Sequence, residues 1–164
     1  MAVAAGVGVL AAIAFAMPLG AQVVRDSAPA PRLEWRLDEL VAHRAATQAG
    51  MGVMIPAGVY VRFGVVAAAG VVTGGAQPVG ASARVDAVGR FLLDPLAEHA
   101  WGPYLAGGAT YRADARDRGR AYLLAMVGVE GPRHGRIVPA IEAGIGGGVR
   151  VGVVLRRGQV TGWR

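Results

Sequence analysis

The chain of 164 residues contains no cysteine, no lysine and no asparagine, and its aromatics are few: three Trp, four Tyr and three Phe. Without cysteine there is neither a disulfide framework nor a thiolate metal site. Three histidines, His43, His99 and His134, lack metal-ligand spacing. Serine hydroxyls occur only at Ser27 and Ser82, so a nucleophile beside a base is hard to assemble: Ser82 begins one expected strand and His99 lies past its other end. No metal, cofactor or enzymatic activity is expected. Because lysine is absent, all 17 basic residues are arginine, and the formal charge is +6. A nucleic-acid binder usually clusters such charge on one patch or helix. Here the arginines are spaced along the chain, and no nucleic-acid partner is expected.

Long hydrophobic runs are also scarce. The single clear one, Ala2 to Ala16, is short of the ~20 residues that a membrane-spanning helix needs. It is followed by Met17-Pro18-Leu19-Gly20-Ala21 and then the polar Gln22. An apolar core, a helix-breaking proline and small residues before a polar start read as a secretory signal peptide over residues 1–21, cleaved after Ala21 or after Ala16. Residues 22–32, QVVRDSAPAPR, are proline-containing and aperiodic, a flexible linker. Residues 33–164 then form one domain.

What the chain has in abundance is alternation. From Arg136 to Arg157 the odd positions from Ile137 to Leu155 carry no charge, while Arg136, Glu142, Arg150 and Arg156 are all even. Successive strand side chains point to opposite faces, so one face is apolar and the other charged. As one strand these 22 residues would reach ~70 Å, at ~3.3 Å per residue, so Gly146-Gly147-Gly148 is expected to divide them in two. The same parity recurs over 47–55, 59–70, 81–94, 101–112 and 120–130, with a turn at Pro56-Ala57-Gly58 and loops at 71–80 and 113–119. Leu33 to Asp38 alternates as well, although LDELVAHRA could continue as a short helix. The expected total is eight strands, most of the ~9–11 residues that cross a bilayer when tilted.

Alternation alone does not say which face meets water, since a soluble antiparallel sheet also reads apolar-in and polar-out. Export by a signal peptide, apolar faces running whole strand lengths, and a charged face diluted with Gly and Ala all favour the apolar face outward, against lipid. In these strand lengths and inward charges, the chain from about Leu33 onward resembles the small Gram-negative outer-membrane β-barrel proteins, of the kind that includes the OmpA transmembrane domain and OmpX. The resemblance implies an all-β, up-and-down antiparallel barrel in the outer membrane, with lipid as its surroundings. Trp35, Trp101, Tyr104, Tyr111, Phe63 and Phe91 are candidates for its aromatic girdles. Pro139 is the residue least at ease in such a drawing, because a closed barrel has no free edge to excuse it.

Even parity gathers the candidate functional residues into one lumen: Arg62, Arg84, Asp86, Arg90, Arg112, Arg120, Glu130, Glu142 and Arg150, with Glu142 and Arg150 a possible pair across the last hairpin. Buried charges need partners, and opposite charges are available. The set reads as a salt-bridge network that plugs a structural or surface-interaction barrel. The alternative for these arginines is an anion site, such as one for a phosphate-bearing lipid head group. The rival fold is a soluble periplasmic barrel or sandwich holding an apolar ligand, with odd faces inside and arginines in water.

Overall fold

The computed structural model describes residues 30–74, 79–96, 100–115, 117–133 and 135–158. The expected signal peptide and most of the expected linker lie outside these residues. Eight strands follow in order: β1 (Arg32–Val41), β2 (Ala45–Ala57), β3 (Val61–Thr73), β4 (Gly80–Leu92), β5 (Gly102–Asp114), β6 (Asp117–Glu130), β7 (Ile137–Ile145) and β8 (Val149–Arg157). Each pairs antiparallel with the next, and β1 pairs with β8, so the sheet closes into a barrel without a lateral edge. No helix is present among the described residues.

Side-chain size and parity explain the closure. On every strand the even residues face inward and the odd ones outward, as in β8, where Arg150, Gly152, Val154 and Arg156 are buried and Val149, Val151, Val153 and Leu155 exposed. The interior of an eight-stranded barrel is just wide enough for side chains to fill. Glycines on the inner face make that filling possible. A Cβ on Gly152 would stand 2.1 Å from Asp38 Oδ1, and one on Gly128 2.4 Å from the Tyr104 ring. These positions are empty so that long polar side chains can cross the lumen.

Three expectations about boundaries are corrected. The Leu33 to Asp38 segment is a full strand of ten residues, β1, and it does not turn helical. Its pairing with both β2 and β8 offers two ladders of backbone hydrogen bonds, which a short helix does not match. The expected turn at Pro56-Ala57-Gly58 falls at 58–60, with Gly58 at φ 85°, and Pro56 stays in β2 beyond Met54, the last residue that β1 reaches. The expected loop over 113–119 is mostly ladder, since Asp114 pairs with Asp117. By contrast, Gly146-Gly147-Gly148 is the turn between β7 and β8, with Gly147 at φ 75°.

Pro139 is accommodated by the uneven length of β6 and β7. Their pairing begins only at Glu130↔Ala140, and the Pro139 carbonyl accepts a 2.7 Å hydrogen bond from the Gly131 amide just past the end of β6. In an antiparallel ladder the N–H and C=O of one residue point to the same neighbour. The missing N–H of Pro139 therefore points to where β6 has already ended, and a single ladder bond is forgone. The unevenness recurs at the other end of this seam. β7 stops at Ile145 opposite Ala125, so Asp117 to Leu124 of β6 rise above β7 with only β5 beside them.

The barrel thus has two unlike ends. At the base, where β1 begins and β8 ends, lie the β2–β3, β4–β5 and β6–β7 connections. At the mouth, a tall β5–β6 hairpin stands over the low turns at 42–44 and 146–148.

Candidate functional site

The expected charged lumen is present, and it is larger than the sequence pattern indicated. Among the described residues, Arg36, Arg62, Arg84, Arg90, Arg150 and Arg156 are buried with Glu34, Asp38, Asp86, Glu130 and Glu142. Six cations against five carboxylates leave one positive charge in excess, so every acid is shared among several guanidiniums.

The sharing runs in a continuous string along the barrel axis. Near the base, Arg90 grips Glu34 with both Nη atoms, at 2.5 and 3.0 Å. Glu130 accepts from Arg62 at 2.8 Å, from Arg133 at 2.7 Å and from Arg156. Arg156 also donates to Glu142 at 2.9 Å and to the Tyr104 hydroxyl at 2.8 Å, with its guanidinium 4.9 Å from the centre of that ring. Higher up, Arg36 donates to Glu142 and to Asp38, each at 2.7 Å. Asp38 receives Arg84 as well. Arg150 completes the string on Asp86 at 2.9 Å. Beside these charges, Gln48 accepts from Arg84 at 2.8 Å and donates to Ser82 at 2.7 Å. The opposite wall is apolar, with Met54, Val66, Val88, Ala106, Leu124 and Met126 packed together.

Seven of the nine expected lumen residues, Arg62, Arg84, Asp86, Arg90, Glu130, Glu142 and Arg150, belong to this network. Arg112 and Arg120 do not; they lie at the mouth, Arg112 part-buried with Asp114 at 3.6 Å and Arg120 exposed. Glu142 and Arg150 do not pair with each other. Across the last hairpin Glu142 faces Gly152 and Arg150 faces Gly144, and each long side chain reaches across the lumen to other strands. The residues missed are Glu34, Arg36 and Asp38 of β1, Arg156 of β8, and Tyr104. Tyr104 is 1% exposed and faces inward, so it belongs to no girdle. All five are even-numbered, and parity applied without exception would have found them.

Chemically this interior offers cross-linking and obstruction. Ser82 is buried and engaged by Gln48, with no imidazole among its hydrogen-bond partners. His43 sits in the turn at the mouth; Ser27, His99 and His134 lie outside the described residues.

Outside, the surface is apolar around the whole circumference. Leu37 on β1, Val53 on β2, Val65 on β3, Val85 on β4, Leu105 on β5, Val127 on β6, Ile141 on β7 and Val153 on β8 are all between 42% and 57% exposed. Aromatic side chains gather on this surface toward the base: Trp35, Phe63 and Phe91 are exposed, Tyr60 stacks on Phe91 at 5.9 Å, and Trp101 precedes β5. Tyr111 stands alone toward the mouth.

The fold and site define a class: a closed eight-stranded antiparallel barrel, charged and filled within, apolar without. No protein-family model matches the sequence, and no curated protein matches it.

Proposed function

We propose that this protein is a small outer-membrane β-barrel whose odd-numbered surface contacts lipid and whose role is structural or one of surface interaction. The observation that carries the reading is the apolar belt around the middle of a barrel whose lumen buries six arginines and five carboxylates, with Glu39 facing outward nearer the mouth. Soluble monomers rarely expose contiguous apolar patches beyond a few hundred Å². A closed barrel pairs strand backbones within the sheet, as a span through hydrocarbon demands, and the exceptions here lie at the ends of the β6–β7 seam. Strands of 9 to 14 residues are long enough for a tilted crossing. The aromatic side chains gathered at the base suit one membrane interface.

The rival, a soluble periplasmic barrel or sandwich with an apolar ligand inside, needs odd residues inward and arginines in water; burial runs the other way. A catalytic role lacks a nucleophile–base pair among the described residues, and six arginines are buried in the lumen against carboxylates, so neither catalysis nor a nucleic-acid partner is proposed.

Fractionation of cells expressing the protein tests the reading. The mature chain is expected in the outer-membrane fraction, extractable only with detergent, with electrophoretic mobility that changes on boiling. A monomer in the supernatant without detergent would overturn it.

A further inference from the structure

The mouth carries a feature that the plug does not use. Between the β5–β6 hairpin and the low turns lies a cavity of about 440 Å³, lined by Arg44, Arg112, Arg120, His43, Tyr122 and Asp114 among others. Three arginines thus line a space in which Asp114 is the one carboxylate among the described lining residues. They come from two sides: Arg44 from the turn after β1, Arg112 and Arg120 from adjacent positions on β5 and β6.

The arginines here are unevenly compensated, and Arg120 has interactions of its own. Arg112 lies directly across from Arg84 on β4 and from Arg120 on β6, so three arginines form a row on one face of the sheet. Like charges directly opposite destabilise a sheet. Arg84 is compensated by Asp38, Asp86 and Gln48. Arg112 is not compensated to the same degree. Its side chain is 11% exposed and its carboxylate neighbour, Asp114, stands 3.6 Å away, while its Nε, like that of Arg84, has no hydrogen-bond partner. Arg44 has no acidic partner among the described residues. A buried donor that water reaches poorly and no acceptor meets costs free energy until an acceptor arrives.

From this geometry we infer that the mouth is an oxyanion site whose ligand is a phosphate monoester, held by Arg44, Arg112 and Arg120. The guanidinium fork matches phosphate oxygens bidentately, and a dianion would supply the acceptors that Arg112 and Arg44 lack. The volume exceeds that of one phosphate and leaves room for the group that bears it, such as a sugar. The phosphate could be carried on a lipid head group or on a free solute. The site follows from the barrel's charge placement and does not depend on where the barrel resides.

Calorimetric titration of the detergent-purified full chain with inorganic phosphate and with glucose 1-phosphate tests the free-solute arm. Phosphorus NMR of phosphatidic acid in mixed micelles, with phosphatidylcholine as control, tests the lipid arm. Saturable binding in either arm, weakened about tenfold or more by Arg112→Gln and by Arg44→Gln, is the expected result, the size following from loss of one charge-assisted hydrogen bond. Arg136→Gln, an exposed position at the base, is expected to leave binding unchanged. Arg44 lies in a turn outside the ladders, so its variant keeps the test valid should Arg112→Gln fail to show heat-modifiable mobility. No binding in both arms, or binding weakened equally by Arg136→Gln, would overturn the site. Binding by a protein recovered as a soluble monomer would overturn the outer-membrane reading and leave the site standing.

Discussion

Among single residues, Glu142 carries the most. Its two oxygens are shared by Arg36, Arg90, Arg156 and the Tyr104 hydroxyl. Removing one partner of a buried ion pair leaves an uncompensated charge, at a cost of about 3–5 kcal/mol. Glu142→Ala is therefore expected to lower the urea midpoint of the detergent-solubilised barrel substantially, read as the fraction keeping unboiled mobility; a midpoint equal to wild type would show that the network does not hold the barrel. Glycine makes a second contrast. Gly152→Ala places a methyl 2.1 Å from Asp38 Oδ1, whereas Gly107→Ala faces outward with the Leu124 carbonyl no nearer than 3.6 Å. The first should destabilise by about 1–3 kcal/mol, and the second should be neutral or stabilise by up to about 1 kcal/mol. Equal effects in the same urea titration would contradict the packed lumen. Most of this site was readable from parity. Glu34, Arg36 and Asp38 escaped because a six-residue alternation is also compatible with a helical start, and Tyr104 because an aromatic in a barrel suggests a girdle before its even number is weighed. Which arginine meets which acid was not readable. Long side chains cross the lumen, and partners such as Arg36 and Glu142 are set by three-dimensional stagger, not by ladder position.

At the scale of the element, the strand count and the break at Gly146-Gly147-Gly148 were legible because length and glycine placement constrain them. The ends were not. Polar residues such as Asp114 and Asp117 look like loop in a sequence, yet paired they extend the β5–β6 ladder beyond the rest of the wall. Pro139 looked like an objection to closure and is instead a consequence of stagger, since β6 ends where its missing N–H points. That account predicts a difference between two prolines. Pro139→Ala should change stability by no more than about 1 kcal/mol, the worth of one ladder bond at most. Ala143→Pro, at a position flanked by Val127 on β6 and Val151 on β8, removes a bond inside two complete ladders. It should abolish heat-modifiable folding, and a normally folded Ala143→Pro barrel would mean that the β6–β7 seam is not closed as described.

On the scale of the whole molecule, the barrel inverts the usual order of a soluble sheet, with ion pairs inside beside an apolar inner wall and apolar residues on its outward face. That inversion makes the surroundings measurable through one substitution at two heights. Val153 lies midway along β8 and is half exposed on the outer face, while Val149 shares that face at the strand's mouth end. If hydrocarbon surrounds the belt, an arginine is costly at mid-height and cheap near an interface, about 2–4 against about 0–1 kcal/mol. If water surrounds it, both substitutions fall within about 0.5 kcal/mol of wild type. Refolding wild type, Val153→Arg and Val149→Arg into lipid vesicles, with urea titration of each, should therefore give a loss that depends on depth. The interior makes a complementary statement through the same vesicles. With Arg36, Glu142, Arg156 and Tyr104 cross-linked across the lumen, and with inner glycines such as Gly152 and Gly128 overlain by side chains, the reconstituted barrel should hold an ion gradient. Substantial conductance from wild-type protein would mean that the network opens in the bilayer, and depth-independent effects of the two arginines would mean that the belt does not face lipid at all.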